Sequence, residues 1–559
     1  MKSSRCFVFF LLWFSFLSLP AFAATGRKAM VATANSYATD AALEILRQGG
    51  NAVDAAVAAQ WVLNVTEPQS SGIGGGGFFL YYEAATKKIY AFDGRETAPA
   101  GAFPEMFLGQ DRCPARFKPD CVTGGLSVGV PGTLRLLHTV HGRFASRKFS
   151  FAGLFEPAIR LAEGGFPVSE RVAFYIDQEK DRLKLFKASR RVFLDRRGNP
   201  IPEGTLLLQP DLAKTFRLIQ KQGPDIFYQG EIGRDIVKAV REAPYHPGKM
   251  READLAAYRV VQREPVSGSY RGYTLFSMGP PSSGGTTLIE TLHILEQFPL
   301  KEYFPTQRLH LFAEAQKLAF RDRNLLAADP DFIQVPLEKF LSKKAAQKAA
   351  RAIQMDTAIP EVPAPSSKPL NANAHTSHLS IADAQGNRVA FTTTIEEMFG
   401  SGMMVPGRGF FLNNELTDFD LELKKDGRLR ANAVQGGKRP RSSMTPTFIF
   451  KEGKPFLIIG SPGGSKIIGA VLNVVVNMID FDMPLEQAMR MPRLIDRDGP
   501  MEMETDLFKD LRQRLDLGAK GHRIVESTPI GNVQAISFNQ DGSITGSSDP
   551  RGEGEAKGY

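Results

Sequence analysis

Residues 376–395 read TSHLSIADAQGNRVAFTTTI and have the pattern of a β-hairpin. Residues 376–381 alternate between two faces, which is the period of a strand with one buried side. Residues 383–387 include Asp, Gly and Asn, which favour a turn, and residues 388–395 form a second run rich in β-branched side chains. We therefore predict a hairpin whose first strand starts at Thr376.

A change in composition lies directly before this hairpin. Residues 357–375 contain four prolines, many polar side chains and no apolar period, which is typical of an exposed, flexible linker. A segment of this kind that leads straight into a strand is accessible to cleavage. A linker between two domains has the same composition, so the pattern alone leaves both interpretations open.

The first 23 residues have the pattern of a secretory signal peptide. Lys2 and Arg5 precede an apolar stretch over residues 7–19, and Ala21-Phe22-Ala23 supplies the small residues of a cleavage site. The apolar stretch is shorter than the roughly 20 residues of a spanning helix. We expect a secreted, periplasmic protein without a stable membrane anchor; a retained anchor is the alternative interpretation.

The composition is that of an ordinary globular protein and argues against some partners. The 559 residues are 43% hydrophobic and 23% charged, with a net charge of +9 that is spread along the chain. Since no basic cluster with aromatic platforms occurs, we predict no nucleic-acid partner.

Cys113 and Cys121 lie in a predicted loop, and export to an oxidising compartment favours a disulfide between them. No histidine cluster accompanies them, so we predict neither zinc nor another cofactor.

Periodicity predicts several further elements. They are a strand over 30–33, a helix from near Asp40 to Gly49-Gly50, a helix over 52–65, a strand over 78–82, helices over 210–222, 230–242 and 307–327, and a strand over 273–277. Residues 72–77 (GIGGGG) leave a helix and enter a strand, the reverse of a dinucleotide-binding loop. Close backbone packing, or backbone approach to a substrate, explains these glycines better.

Residues 375–380 (HTSHLS) resemble the processing site of the γ-glutamyltransferases, which are N-terminal-nucleophile hydrolases. Further blocks match that family in order and spacing: 92–96 (FDGRE), 412–419 (LNNELTDF), 438–447 (KRPRSSMTPT) and 460–465 (GSPGGS). The resemblance implies an α+β fold, a four-layer α/β/β/α sandwich. It also implies that the chain cuts itself before Thr376, and that a large subunit (24–375) and a small catalytic subunit (376–559) form a heterodimer.

The role that the resemblance implies for Thr376 has a physical reason. A threonine hydroxyl is a weak nucleophile at neutral pH. After cleavage between His375 and Thr376, the new amine titrates near about 7.7–8.0 and can act as the base. Thr394 matches the family's second threonine, which hydrogen-bonds to the new amine or hydroxyl. Thr392 points to the same face as Thr394 but ranks below it for this supporting role. His378 is a further candidate for orienting the site.

The remaining matched residues imply oxyanion and substrate binding. Gly463 and Gly464 match the oxyanion hole, where backbone N–H groups must approach without obstruction by a side chain. The substrate is a small γ-glutamyl compound such as glutathione. The resemblance assigns its α-carboxylate to Arg95, Ser442 and Ser443, and its α-ammonium to Glu415 and Asp418.

Two departures from the family pattern affect the acceptor. Glu396 stands where better-known members have Asn, which would place three carboxylates near one ammonium. Either one of these groups has a raised pKa, or Glu396 turns away, or the substrate is more cationic than a simple γ-glutamyl group. Residues 419–431 are short and charged and lack Tyr. We predict a reduced lid and a more open site, which favours hydrolysis over transfer.

Three hypotheses remain at this point. The first is a γ-glutamyl hydrolase/transferase; the second is a related acylase of the cephalosporin type that removes glutaryl-like side chains. Because a glutaryl group lacks the ammonium, a pocket of carboxylates favours the first. The third is a non-catalytic periplasmic binding protein, and the presence of every catalytic block argues against it.

Overall fold

A computed structural model describes residues 23–109, 116–362, 374–422, 424–425 and 428–559. The helices of this part are α1 (Ser36–Arg47), α2 (Ala52–Thr66), α3 (Thr133–Phe144), α4 (Glu156–Gly164), α5 (Glu170–Lys184), α6 (Lys187–Phe193), α7 (Pro210–Gln222), α8 (Asp225–Gln229), α9 (Glu231–Arg241), α10 (Glu252–Ala257), α11 (Gly284–Leu295), α12 (Pro305–Leu326), α13 (Leu337–Leu341), α14 (Lys343–Ala350), α15 (Lys466–Asp480), α16 (Leu485–Arg490), α17 (Thr505–Phe508) and α18 (Leu511–Ala519).

The strands of the same part of the chain are β1 (Ala23–Gly26), β2 (Met30–Thr33), β3 (Gly76–Glu83), β4 (Lys88–Gly94), β5 (Phe166–Pro167), β6 (Leu206–Leu207), β7 (Val261–Arg263), β8 (Val266–Tyr270), β9 (Tyr273–Ser277), β10 (Ala374–Ala382), β11 (Arg388–Glu397), β12 (Lys424–Lys425), β13 (Arg428–Leu429), β14 (Thr447–Lys451), β15 (Lys454–Gly460), β16 (Leu494–Asp496), β17 (Met501–Glu504), β18 (Ile524–Ser527), β19 (Gln534–Phe538), β20 (Ile544–Ser548) and β21 (Glu555–Gly558).

Two seven-stranded sheets form the centre of the molecule. Sheet I has the order β1-β20-β19-β15-β14-β9-β8, and sheet II has the order β21-β2-β10-β11-β3-β4-β7. Strands β10 and β11 of sheet II contact β19 and β15 of sheet I. Helices α1 and α2 pack on sheet II, and α11, α15 and α16 pack on sheet I. The fold is therefore a mixed α/β structure with its two sheets in contact.

The predicted hairpin is confirmed and lies in the middle of sheet II, but its first strand begins at Ala374 rather than at Thr376. β10 and β11 pair antiparallel with Thr376 opposite Thr394, and β2 and β3 flank them. The period of a strand places both threonines on one face. Leu379 belongs to the apolar cluster on the side of α1 and α2, so Thr376, three residues earlier, points towards sheet I.

Helix α2 shows why small side chains occur in this part of the sequence. All its residues are buried, and the Asn51 side chain accepts from the backbone N–H groups of Val53 and Asp54. Small residues let the helix lie close to sheet II. The predicted start of the preceding helix was wrong, because the cap is Asn35 and the helix begins at Ser36. Asp40 instead lies inside α1 and pairs with Lys557 at 2.6 Å.

The glycine-rich segment 72–77 packs directly against β11. A side chain at Gly75 would collide with the Thr394 carbonyl oxygen, and one at Gly77 would meet the Thr392 carbonyl oxygen at 2.6 Å. The prediction of close backbone packing is therefore confirmed. These contacts hold the strand that carries Thr394 against its neighbour.

Several predictions fall on residues outside the described ranges. Cys113 and residues 1–22 and 363–373 are among them, so the disulfide, the signal peptide and most of the linker 357–375 remain predictions. Cys121 is buried in a small apolar cluster with Phe107 and Phe117. None of the helices in the described ranges is both long and apolar enough to cross a bilayer.

His310 and His522 form a buried pair beside the segment that leads into the linker. His310 Nε2 lies 2.8 Å from the Gln354 carbonyl oxygen, which can only accept, so His310 Nδ1 accepts from His522 Nε2 at 2.7 Å. Burial, together with the charges of Lys317 and Lys520, lowers the pKa of His522 to about 3. Burial also lowers the pKa of His310.

We predict that this pair makes the fold sensitive to acid. The pKa of His522 is about 3 in the folded chain, below its ordinary value of 6.5. The unfolded chain therefore takes up a proton first, and stability present above pH 6.5 is lost as the pH falls towards 3. The cost reaches up to about 1.4 kcal/mol per pH unit. Between pH 7 and 5, denaturant unfolding should show a smaller loss in His522→Gln, whose amide still donates to His310. An equal fall in the free energy of unfolding of the two proteins between pH 7 and 5 would refute this prediction.

Candidate active site

Thr376 is buried, and its hydroxyl belongs to a short chain of hydrogen bonds. Thr376 Oγ1 donates to Thr394 Oγ1 at 3.3 Å, and Thr394 Oγ1 donates to the His375 carbonyl oxygen at 2.9 Å. The Glu396 backbone N–H donates to Thr394 Oγ1 at 2.9 Å. Since Thr394 accepts twice, its single proton is directed at the carbonyl of the His375–Thr376 peptide bond.

This arrangement can activate one particular peptide bond. A donor on a carbonyl oxygen stabilises the negative charge that develops when a nucleophile attacks the carbonyl carbon. The hydroxyl of Thr376 belongs to the residue that follows this carbonyl, so this hydroxyl and the polarised bond are neighbours in the chain. The register of β10 against β11 is also irregular between Ala374 and Thr376, at the same bond.

His375 is uncharged at neutral pH. Its ring packs edge-on against Tyr175, with 4.5 Å between the ring centroids. Burial, together with the charges of Arg171 and Lys118, lowers the pKa of His375 to about 3. The residue before the His375–Thr376 bond is therefore packed rather than charged.

The residue after Thr376 anchors β10 on the opposite face. Ser377 Oγ donates to Glu67 Oε2 at 2.6 Å, beyond the last turn of α2. Burial raises the pKa of Glu67 to about 7. Ser377 therefore ties the strand to the helical side while Thr376 projects to the other side.

His378 is committed to a polar layer between the sheets. Its Nδ1 lies 2.8 Å from Thr392 Oγ1 and its Nε2 lies 3.2 Å from Ser380 Oγ. A side chain at Gly460 would overlap the His378 ring. His378 and Thr392 thus bind each other, within the described residues, rather than Thr376. Their contact with Gly460 sets the spacing between β10 and the end of β15.

Gly463 and Gly464 lie in the turn between β15 and α15. Their φ angles are +129° and +56°, a left-handed conformation that glycine adopts without strain. Their carbonyl groups accept from the N–H groups of Lys466 and Ile467 at 3.0 and 3.1 Å. Within the described chain neither glycine N–H donates to a backbone or side-chain acceptor, so both remain available for an oxyanion.

Arg95 is buried and lies at the centre of a charge cluster. It pairs with Glu415 through Nη1, and its Nη2 lies 2.5 Å from Asp418. Its Nε donates to the Pro440 carbonyl at 3.2 Å, just before Ser442. A short 3₁₀ helix, Glu415–Asp418, brings both acids to the same guanidinium. The residues assigned to the two ends of the substrate therefore pair with each other here.

The cluster holds more carboxyl groups than cations. Glu96 is completely buried beside Arg95, and burial raises the pKa of Glu96 to about 7. Burial and the neighbouring acids, Glu396 among them, raise the pKa of Glu415 well above its ordinary value. The crowding expected from the sequence is therefore present, with Glu96 as a further member that sequence reasoning missed.

Glu396 joins Thr394 to this cluster. Its backbone N–H binds Thr394, while its Oε2 accepts from Asn414 Nδ2 at 2.5 Å and from Thr417 Oγ1 at 3.2 Å. Its φ of +78° is unusual for a residue with a side chain. The turn at Glu396 directs its carboxylate towards the segment of Glu415.

Ser442 and Ser443 present their hydroxyl groups as donors. Ser442 Oγ accepts from the Met444 N–H at 3.1 Å, and Ser443 Oγ accepts from Arg323 Nη2 at 2.6 Å. Within the described chain neither Oγ donates to an acceptor. Each hydroxyl oxygen thus accepts one hydrogen bond and keeps its own proton available to donate. Two such donors suit a carboxylate.

The lining of the site includes residues that sequence reasoning missed. Glu96 stands in a matched block, so its position was a usable signal. Arg323 on α12 and Ser283 before α11 come from segments distant in sequence, with no pattern to mark them.

The described residues also hold one group with metal-ligand spacing, His310, Glu314 and His522. Its Glu314 already accepts from Lys317 and from the Ile359 N–H, each at 2.8 Å.

Comparisons with known proteins agree over most of the chain. The family model for gamma-glutamyltranspeptidase matches residues 38–559. The chain is similar to the glutathione hydrolase proenzyme of Bacillus subtilis (strain 168), with 40% identity over 95% of this chain and 92% of that protein. It is 36% identical to the acylase ACY 1 proenzyme of Pseudomonas sp. (strain SE83), over 95% and 93% of the two chains. The cephalosporin acylase structure from Bacillus halodurans matches 99% of both chains, with a TM-score of 0.82 and 27% identity.

The hydrogen bond from Thr394 to the His375 carbonyl predicts the rate of chain cleavage. Thr394→Val keeps the shape of the side chain but removes the donor, so cleavage should slow by about 100-fold to 1000-fold. Thr394→Ser should cleave at a rate close to that of the wild type. The measurement is the fraction of cut chain on a denaturing gel with time after cell-free synthesis.

Thr393→Val is the matched control, since Thr393 precedes Thr394 and points to the opposite face. It should leave cleavage unchanged. Cleavage of Thr394→Val at the wild-type rate would contradict the assigned hydrogen bond.

Proposed function

The chain belongs to the gamma-glutamyltranspeptidase family, and on that premise we propose that it cleaves γ-glutamyl amides such as glutathione through an ester of Thr376. It is an enzyme of the hydrolase and acyltransferase class. The observation that carries the substrate assignment is the buried cluster in which Arg95 lies among Glu96, Glu415 and Asp418.

The first reaction is cleavage of the chain by itself. Thr376 Oγ1 attacks the His375 carbonyl carbon, the C–N bond breaks, and the proton of the hydroxyl passes to the new Thr376 amine. Water then hydrolyses the resulting ester and leaves a carboxylate on His375. The donor from Thr394 supports this step, because it stabilises the charge on the same carbonyl oxygen.

Cleavage gives the subunits 24–375 and 376–559, which we propose to stay together as a heterodimer in a four-layer α/β/β/α sandwich. Strands β10 and β11 of the small subunit lie between β2 and β3 of the large subunit. Separation would therefore break the ladders on both sides of the hairpin. Export to the periplasm rests on the predicted signal peptide.

The second reaction uses the new amine of Thr376 as the base. Oγ1 attacks the γ-carbonyl of the substrate, an ester forms, and the leaving amine takes the proton. The N–H groups of Gly463 and Gly464 are the proposed donors to the oxyanion. Water then attacks the ester and releases glutamate, or an acceptor amine takes the acyl group.

The charge of the pocket suits an α-amino acid. The hydroxyl groups of Ser442 and Ser443 are available to the α-carboxylate, together with Arg95. Glu415, Asp418 and Glu396 outnumber the guanidinium, and this excess of negative charge favours the α-ammonium. Each of these residue roles is part of the proposal.

The second candidate is an acylase that removes glutaryl-like groups. The whole-chain likeness to a cephalosporin acylase structure favours it. A glutaryl group would bring no cation to the carboxylates around Arg95, so their negative charge would remain uncompensated. The γ-glutamyl assignment therefore has the better physical support.

We also propose that water is preferred over an acceptor amine. In the described part of the lid segment 419–431, the only paired strands are the two-residue strands β12 and β13. A small cover leaves the ester open to water. Glu396, in place of the Asn of other members, further alters the amino-group site.

Steady-state kinetics with two anilides test the assignment. A γ-glutamyl anilide should have a kcat/KM about 10-fold to 100-fold above that of the glutaryl anilide, since only the first places an ammonium on the carboxylates. Equal values, or a preference for the glutaryl compound, would favour the acylase. Glycylglycine should stimulate turnover only weakly, and strong stimulation would contradict the preference for water.

A further inference from the structure

Arg323 is a buried cation beside the proposed carboxylate site. It lies near the end of α12 and is 8% exposed. Its Nε donates to Ser283 Oγ at 2.9 Å, its Nη1 to Asn324 Oδ1 at 2.8 Å and its Nη2 to Ser443 Oγ at 2.6 Å. Among the residues that the structure describes, no carboxylate lies within ion-pair distance of it.

The contrast with Arg95 is direct. Arg95 pairs with two acids, so much of its charge is compensated inside the protein. The acids nearest Arg323 are Asp418 and Asp420, which act on it only at a distance. Burial, together with the charge of Arg441, lowers the pKa of Arg323 to about 9. Arg323 remains charged at neutral pH, and its charge is the less compensated of the two.

The contact with Ser443 fixes the direction of a hydroxyl. A guanidinium has only donors, so Ser443 must accept from it and can donate only elsewhere. Without Arg323, the Ser443 hydroxyl could rotate or use its proton within the protein. Arg323 therefore holds Ser443 in the state that a substrate carboxylate needs.

The loop at residues 280–285 binds both Arg323 and the backbone of Ser442, the neighbour of Ser443. Ser283 accepts from Arg323 and donates its own hydroxyl to the Ser442 carbonyl oxygen at 2.6 Å. The Ser283 N–H reaches the same carbonyl at 2.9 Å, and the Ser442 N–H donates to the Pro281 carbonyl at 3.0 Å. The turn-rich stretch at 280–285 thus forms a rigid support for the two hydroxyl groups.

We propose that Arg323 is a positioning residue that makes the enzyme select substrates with a free α-carboxylate. It acts through Ser443, whose proton it directs to the carboxylate, and it adds positive charge on that side of the pocket. The inference rests on the proposed function, because it concerns the same substrate.

The test compares a γ-glutamyl anilide with its α-carboxamide analogue. Arg323→Met should raise the KM of the carboxylate substrate by about 10-fold to 100-fold, the loss typical of a charge-assisted hydrogen bond. Its kcat, and the KM of the carboxamide, should change little. The preference of the wild type for the carboxylate should fall by the same factor.

Further variants separate positioning from folding. Ser443→Ala should show the same loss of preference, and the double variant should be no worse than either single one, because both remove one interaction. Ser283→Ala, which keeps the charge but frees Nε, should give a smaller change in the same direction and serves if Arg323→Met does not fold. Arg308→Met, on the same helix but bound to the Tyr303 carbonyl, is the control and should keep the wild-type preference.

The outcomes distinguish the two proposals. Three results would overturn the role of Arg323: an equal loss of activity on the carboxylate and the carboxamide substrate, a fall in kcat alone, or additive effects in the double variant. Each of them would leave the proposed function intact. A wild-type enzyme that turns over neither anilide would refute the proposed function, and the inference with it.

Discussion

The hydrogen bond from Thr394 to the His375 carbonyl depends on one register of the central hairpin. A slip by a single residue would turn Thr376 towards the helices and end its pairing with Thr394, whose hydroxyl donates to the carbonyl. Two constraints hold the register. Leu379 and its apolar neighbours must face α1 and α2, and the glycines before β3 leave room only for the backbone of β11. The position of Thr376 thus follows from packing on both faces of sheet II.

The charges of the pocket follow from the turn at Glu396. This residue lies near the end of the strand of Thr394 and directs its carboxylate to the segment that carries Glu415 and Asp418. The acids gather around Arg95 at a cost, seen in the raised pKa of Glu96 and of Glu415. A substrate ammonium would relieve this crowding. Catalytic position and substrate charge are therefore linked through one residue.

Local sequence signals predicted much of the fold and part of the site. The hairpin, α2, α7 and β9 were predicted because their periodicity and caps lie within short stretches. The start of α1 was wrong because Asp40 and Asn35 are both good caps, and only packing decides between them. Matched blocks identified Arg95 and Ser443, whereas Arg323 meets Ser443 across 120 residues of sequence. The pairing of Arg95 with its acids likewise depends on tertiary contacts that no local pattern records.

The central claim is that Thr376 is both the cleavage point and the nucleophile. The most direct test is mass spectrometry of the intact subunits after a γ-glutamyl anilide is mixed with the enzyme and rapidly quenched in acid. We expect a small subunit that begins at Thr376 and carries one γ-glutamyl group on that residue. A single uncut chain, or an acyl group attached to another residue, would contradict it.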